Sequence, residues 1–134
     1  MLRDLIRHVA NETQLTQPQA REALGVIFNA ADRQGSPFAA SLFKRLPGAR
    51  TLAARTGADL GAPNGVLARL IEQTPGGRRE VSTRMLRDLQ ALGLGHETIG
   101  RIMPAVAAYA ETTYGITGFG HLGDLIGSDP AEEA

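Results

Sequence analysis

The stretch "LTQPQAREALGVIFNAADRQG", residues 15–35, constrains the fold more than any other part of this sequence. Thr16 has the side chain of a helix N-cap. Pro18 suits the first turn, where its missing N–H removes no helical bond, and Gly35 suits the C-terminal stop. Between them Ala20, Leu24, Ile27, Phe28 and Ala31 recur at three- and four-residue spacing and mark one apolar stripe. Such a stripe must be buried against other helices. No stretch shows the sustained two-residue alternation of a half-buried strand.

The same grammar recurs along the chain. Leu2, Leu5, Ile6 and Val9 predict a short first helix. In "SPFAASLFKRLPG", Ser36 is the cap, Pro37 lies just inside, Phe38, Leu42, Phe43 and Leu46 are the apolar positions, and Pro47-Gly48 breaks the helix. Residues 49–56 predict a further short helix, "GADLGAPNG" a loop, and Val66, Leu67, Leu70 and Ile71 another helix ended by "TPGG". Residues 79–92 carry Val81, Met85, Leu86, Leu89 and Leu92 on one side. Residues 96–114 carry Ile99, Ile102, Met103, Val106 and Ala110, with Pro104 expected to kink the helix because it cannot donate to the carbonyl of Gly100. A last short helix is expected over 121–126. The expected fold is all-α: a compact bundle of about six to seven short helices over 1–127, with a flexible acidic tail, "SDPAEEA", over 128–134.

Three glycines in "LGLGHETIG", residues 92–100, raise the possibility of a phosphate loop. A dinucleotide fingerprint needs Gly-x-Gly-x-x-Gly directly after a strand, and here the spacing is wrong and a helix precedes. A helix corner accounts for every residue: Gly93 as left-handed C-cap, Leu94 packing back, Gly95 opening the next helix, and Glu97 complementing its dipole. An internal echo accompanies it. Leu15, Ala20, Leu24 and Phe28 match Leu94, Ile99, Met103 and Ala107 at a separation of 79, and Leu42 and Leu46 match Leu122 and Ile126 at 80, so the bundle reads as a pseudo-duplicated helical hairpin or as coincidence in an Ala/Leu-rich chain.

Composition narrows the functions. Fourteen basic residues balance fourteen acidic ones over 134 residues, so no net field steers the molecule toward nucleic acid or anionic membrane. The charge is uneven: residues 1–55 hold eight bases (among them Lys44, the sole lysine) against four acids, and the remainder is correspondingly acidic. The absence of cysteine excludes disulfides, thiolate catalysis and cysteine zinc sites. The opening "MLRDLIRHVANE" is charged throughout, unlike a signal peptide or a membrane span. As written, the chain is expected in a bacterial cytoplasm, or exported if a signal segment precedes it.

With the corner placed, "LQALGLGHETIGRIMPAVAAYAETTYGITGFGHLGDLIG" resembles the C-terminal part of the VcgC/VcgE family of uncharacterised bacterial proteins, through Leu92-Gly93-Leu94, Met103-Pro104, Tyr109, Gly115 and "HLGDLIG". Upstream, "LTQPQAREALGVIFNAADRQ" and the turn in "FKRLPGARTL" are similar to that family as well, whereas its long glycine-rich middle is reduced here to "GADLGAPNG" and "TPGG". The resemblance implies helical punctuation and no catalytic residues. A more local stretch, "LIRHVANETQLTQPQAREALGVI", resembles the N-terminal helices of HU/IHF nucleoid proteins, but no β-saddle with basic arms follows it.

The candidate sites are few. His8, His96 and His121 lie near Asp4, Glu97 and Asp124 but share no metal-ligand spacing, so they read as surface or capping residues. Arg78 and Arg79 in "GGRRE" offer guanidiniums at a helix start, with solvated arginines as the blander reading. Ser36, Ser41 and Ser82 lack a nucleophile's context. Arg45, Arg50, Arg78, Arg79, Tyr109, Tyr114 and Phe119 are the expected interaction surface. No enzyme activity, metal or cofactor is expected. The leading expectation is a non-catalytic, self-associating helical interaction module. The alternatives are a DNA-associated protein using the basic N-terminal half, and a carrier of a small apolar ligand with its pocket at Pro104.

Overall fold

The computed structural model describes residues 2–34, 37–59 and 77–116, and for 37, 38 and 77–82 the backbone alone. Among the described residues six helices and no strand are present, so the all-α expectation holds. They are α1 (Leu2–Thr13), α2 (Gln17–Arg33), α3 (Pro37–Arg45), α4 (Ala49–Asp59), α5 (Gly77–Ala91) and α6 (His96–Tyr114). The expected loop from 60, the helix over 66–71, the first three residues of "TPGG", the helix over 121–126, Phe119 and the tail over 128–134 lie outside the described residues, and the last glycine of "TPGG" opens α5.

Local chemistry starts and stops these helices as the sequence predicts. The Thr16 hydroxyl accepts from the Gln19 N–H at 3.2 Å while the Gln19 side-chain oxygen accepts from the Thr16 N–H at 3.0 Å, a reciprocal capping box. α2 ends at Arg33 with Gln34 as its cap, one residue before the expected glycine stop. Gly48 and Gly93 take φ of +92° and +88° at the two predicted breaks, where a side chain would be strained. Leu94 packs back into the core and Gly95 caps α6 with extended backbone, as the corner reading requires. α6 runs on through Pro104 as one helix.

α2 is the central element. Its predicted stripe is buried, and so are Ala23, Gly25, Val26 and Ala30, because α1, α3, α4 and α5 all pack against it. Its most extensive contact is with α4. There the absent side chain of Gly25 leaves room for the Thr56 side chain, and that of Gly57 for the Asn29 side chain. Asn29 Nδ2 then donates to the Ala53 carbonyl at 3.2 Å. This close approach explains one correction: residues 57–59, expected to open a loop, continue α4, because Gly57 is a packing glycine there. Phe28 and Phe43 add an edge-to-face pair at 5.6 Å.

A second correction concerns α5. Met85 and Leu89 are buried, but Leu86 is 41 % exposed. α5 meets chiefly α2, so its buried stripe is narrow, and Leu86 lies about 100° around the helix from Met85.

The echo in the sequence extends to backbone. Adding 79 to each number carries the left-handed Gln14 (φ +60°) onto Gly93, the cap Thr16 onto the cap Gly95, and the first residue of α2 onto the first of α6. Ala20, Leu24, Ile27 and Ala31 fall on Ile99, Met103, Val106 and Ala110, all buried. The α1–α2 and α5–α6 corners thus follow one local pattern, although only α1 and α2 pack extensively on one another. The two pairs are joined crosswise, α1 against α6 and α2 against α5.

Candidate functional site

Helix α1 borders two clefts. The first lies between α1 and α6, measures about 450 Å³, and is lined by His8 and Glu12 of α1 with Gly100, Arg101, Pro104, Ala105 and Ala108 of α6. Helical spacing builds both walls: His8 and Glu12 are one turn apart, and so are Gly100, Pro104 and Ala108. A side chain added at Gly100 would meet no atom of the chain within 4 Å. Pro104 has no N–H, so the Gly100 carbonyl has no donor four residues on, and both residues line the cleft. His8 Nε2 is buried with no hydrogen-bond partner. Glu12 and Arg101 pair neither with one another nor with any other described residue. The cleft therefore offers a small-residue floor with unspent polar groups at its rim.

Beside it the His8 ring lies 5.8 Å from that of Tyr109, and Tyr109 lies 6.0 Å from Tyr114, nearly perpendicular. The two tyrosines named from the sequence thus come together, joined by a histidine that the sequence reading left on the surface. Burial, then the neighbouring Tyr114 and the Asp4 carboxylate, raise the Tyr109 phenol above its ordinary value, since each disfavours the phenolate.

The second cleft, about 560 Å³, lies between α1 and the start of α2, with Leu2, Ile6 and Pro18 as its apolar lining and Arg3, Gln17 and Arg21 as its polar lining. Neither Arg3 nor Arg21 is paired with an acid among the described residues.

The other named residues that the structure describes do not line either cleft. Arg45 is exposed at the end of α3. Arg50, in the first turn of α4, sits 5.1 Å over the Phe43 ring and 3.4 Å from Asp32, so it braces α4 on α2. Arg78 and Arg79 belong to the first turn of α5, and their side chains, like Phe119, lie outside the described residues. His96 is exposed at the start of α6, Ser41 is exposed on α3, and His121, Ser36 and the Ser82 side chain are outside the description. Among the described residues no group of three or more metal-ligating side chains converges, and no helix is long and apolar enough to cross a membrane.

Sequence reasoning missed His8, Glu12, Gly100, Arg101 and Ala108 as cleft residues. One signal was available: Gly100, Pro104 and Ala108 are small or ring-closed residues at four-residue spacing on the side of α6 opposite its apolar stripe. No family model, no curated protein and no solved structure matches this chain.

Proposed function

We propose that this chain is a non-catalytic helical interaction module that self-associates, its basic N-terminal half meeting the acidic remainder of another copy. The observation that carries the reading is the α1/α2 cleft, where Arg3 and Arg21 flank Leu2, Ile6 and Pro18 without an acidic partner among the described residues. A broad greasy interface is a poor fit, because Leu86 is the one large apolar side chain exposed among the described residues. The contact is instead local and charge-complementary, and a head-to-tail pairing of unlike halves suits it.

Native mass spectrometry and light scattering over a concentration series test it. Multiples of the 14.2 kDa chain that dissociate as salt rises from about 0.05 to about 1 M support the reading, since screening at the higher salt acts within a few ångströms. A monomer at every concentration and salt overturns it.

A second reading, a small-ligand carrier, draws support from the cleft at Pro104 where such a pocket was expected. His8, Glu12 and Arg101 make that cleft amphipathic, so the cargo would carry polar groups. A co-purifying small molecule in the same spectra is its test. The DNA-associated alternative gains nothing from Arg50, whose guanidinium is already engaged by Asp32 and Phe43.

A further inference from the structure

The two helix corners share a register, but their long helices do not share their neighbours. On α2, Gly25 and Asn29 receive α4 through Thr56, Gly57 and Ala53. Seventy-nine residues on, their counterparts are Pro104 and Ala108, and both line the open α1/α6 cleft. Gly100 and Ala105 of the same cleft correspond to Arg21, which lines the α1/α2 cleft, and to Val26, which is buried. The α6 positions that correspond to the α4-receiving Gly25 and Asn29 are therefore ring-closed or small and exposed, and among the described residues no helix packs on them as α4 does on α2.

Charge follows the same correspondence. Asp32 of α2 holds Arg50 of α4 at 3.4 Å. Its counterpart on α6 is Glu111, again an acid, exposed and paired with no base among the described residues.

We propose that the α6 surface formed by Gly100, Pro104, Ala105, Ala108 and Glu111 docks one short helix of a partner with the chemistry of α4. That helix presents small residues at every fourth position, as α4 does with Ala49, Ala53 and Gly57, and carries an arginine in its first turn to meet Glu111. Small residues are required on both sides because they let two helix backbones approach closely, as Gly25 and Gly57 do between α2 and α4. The proposal rests on reading the chain as an interaction module, but not on its self-association.

The probe is a peptide of residues 46–59, "LPGARTLAARTGAD", hydrocarbon-stapled between positions 54 and 58, which are exposed in α4, and labelled with a fluorophore. It is titrated with the full chain and read by anisotropy. The expected result is saturable binding that Ala108→Trp, a change at an exposed position, weakens at least about tenfold, or about 1.4 kcal/mol. Glu111→Arg weakens it about two- to fivefold, as an exposed ion pair should, and a peptide carrying Arg50→Glu restores it. No saturable binding overturns the proposal, and so does binding indifferent to both Ala108→Trp and the charge exchange. Light scattering on the same samples reports self-association separately, so either reading can fail alone.

Discussion

The α1–α2 and α5–α6 helix pairs follow one local plan at their corners and differ in what packs against them. Each has a left-handed residue, a packed leucine, a cap and a long helix with the same four buried positions. Yet α2 is buried from Ala23 through Phe28 without interruption, whereas α6 keeps Gly100, Arg101, Pro104 and Ala108 exposed. The difference teaches that cap chemistry and apolar period decide where a helix lies along the chain, while its neighbours decide how many of its sides are buried. α4 supplies α2 with an extra neighbour; among the described residues no helix does so for α6.

Paired substitutions at corresponding positions test that comparison. The largest effect is expected at Phe28, fully buried and packed edge-to-face with Phe43: Phe28→Ala should cost about 3–5 kcal/mol in urea unfolding, while Ala107→Gly, at the half-buried counterpart, should cost only about 1 kcal/mol. Equal losses would mean that both helices are equally central. Next, Gly25→Ala forces a methyl into Thr56 and should cost about 1–3 kcal/mol, whereas Gly100→Ala meets no atom and should stabilise by up to about 1 kcal/mol. A neutral Gly25→Ala would refute the close α2–α4 approach.

Smaller still is the exchange at the left-handed turns. Gly93→Ala should lose about 1 kcal/mol and Gln14→Gly should gain a comparable amount, because only glycine adopts φ of +88° or +60° without strain. At the caps, Thr16→Ala should lose about 1 kcal/mol, while Gly95→Ser should gain only a few tenths. Thermal melts resolve both pairs.

The smallest effect is electrostatic. The Tyr109 phenol is raised in the folded chain, so folding holds its proton; the contribution is whole below pH 10 and is lost as pH rises through the folded value. Absorbance titration near 295 nm should place Tyr109 above 10, and Tyr114→Phe should move it back toward that value, since Tyr114 is its second largest perturbation. A titration unmoved by Tyr114→Phe would leave burial and the Asp4 carboxylate as the causes.

Much of the fold was legible because it is written in short-range chemistry. The capping box at Thr16, the break at Gly48 and the corner at Gly93 need only residues within one turn of one another. The site was less legible. Tyr109 and Tyr114 are five residues apart on one helix and were read as neighbours, but His8 joins them from a helix about a hundred residues earlier. Arg50 looked like free surface until α3 brought Phe43 beneath it and α2 brought Asp32 beside it.

By itself the sequence determined the helical class, most helix ends and the 79-residue repetition, since period, caps and left-handed turns act over a few residues. Tertiary structure alone decided that Gly57 is a packing glycine inside α4, that Leu86 faces outward, and that α1 borders two clefts. The physical reason is that burial belongs to pairs of surfaces. A glycine, a leucine or an arginine has the same local preferences wherever it stands, and only the element packed against it fixes whether it makes room, stays wet or finds its partner.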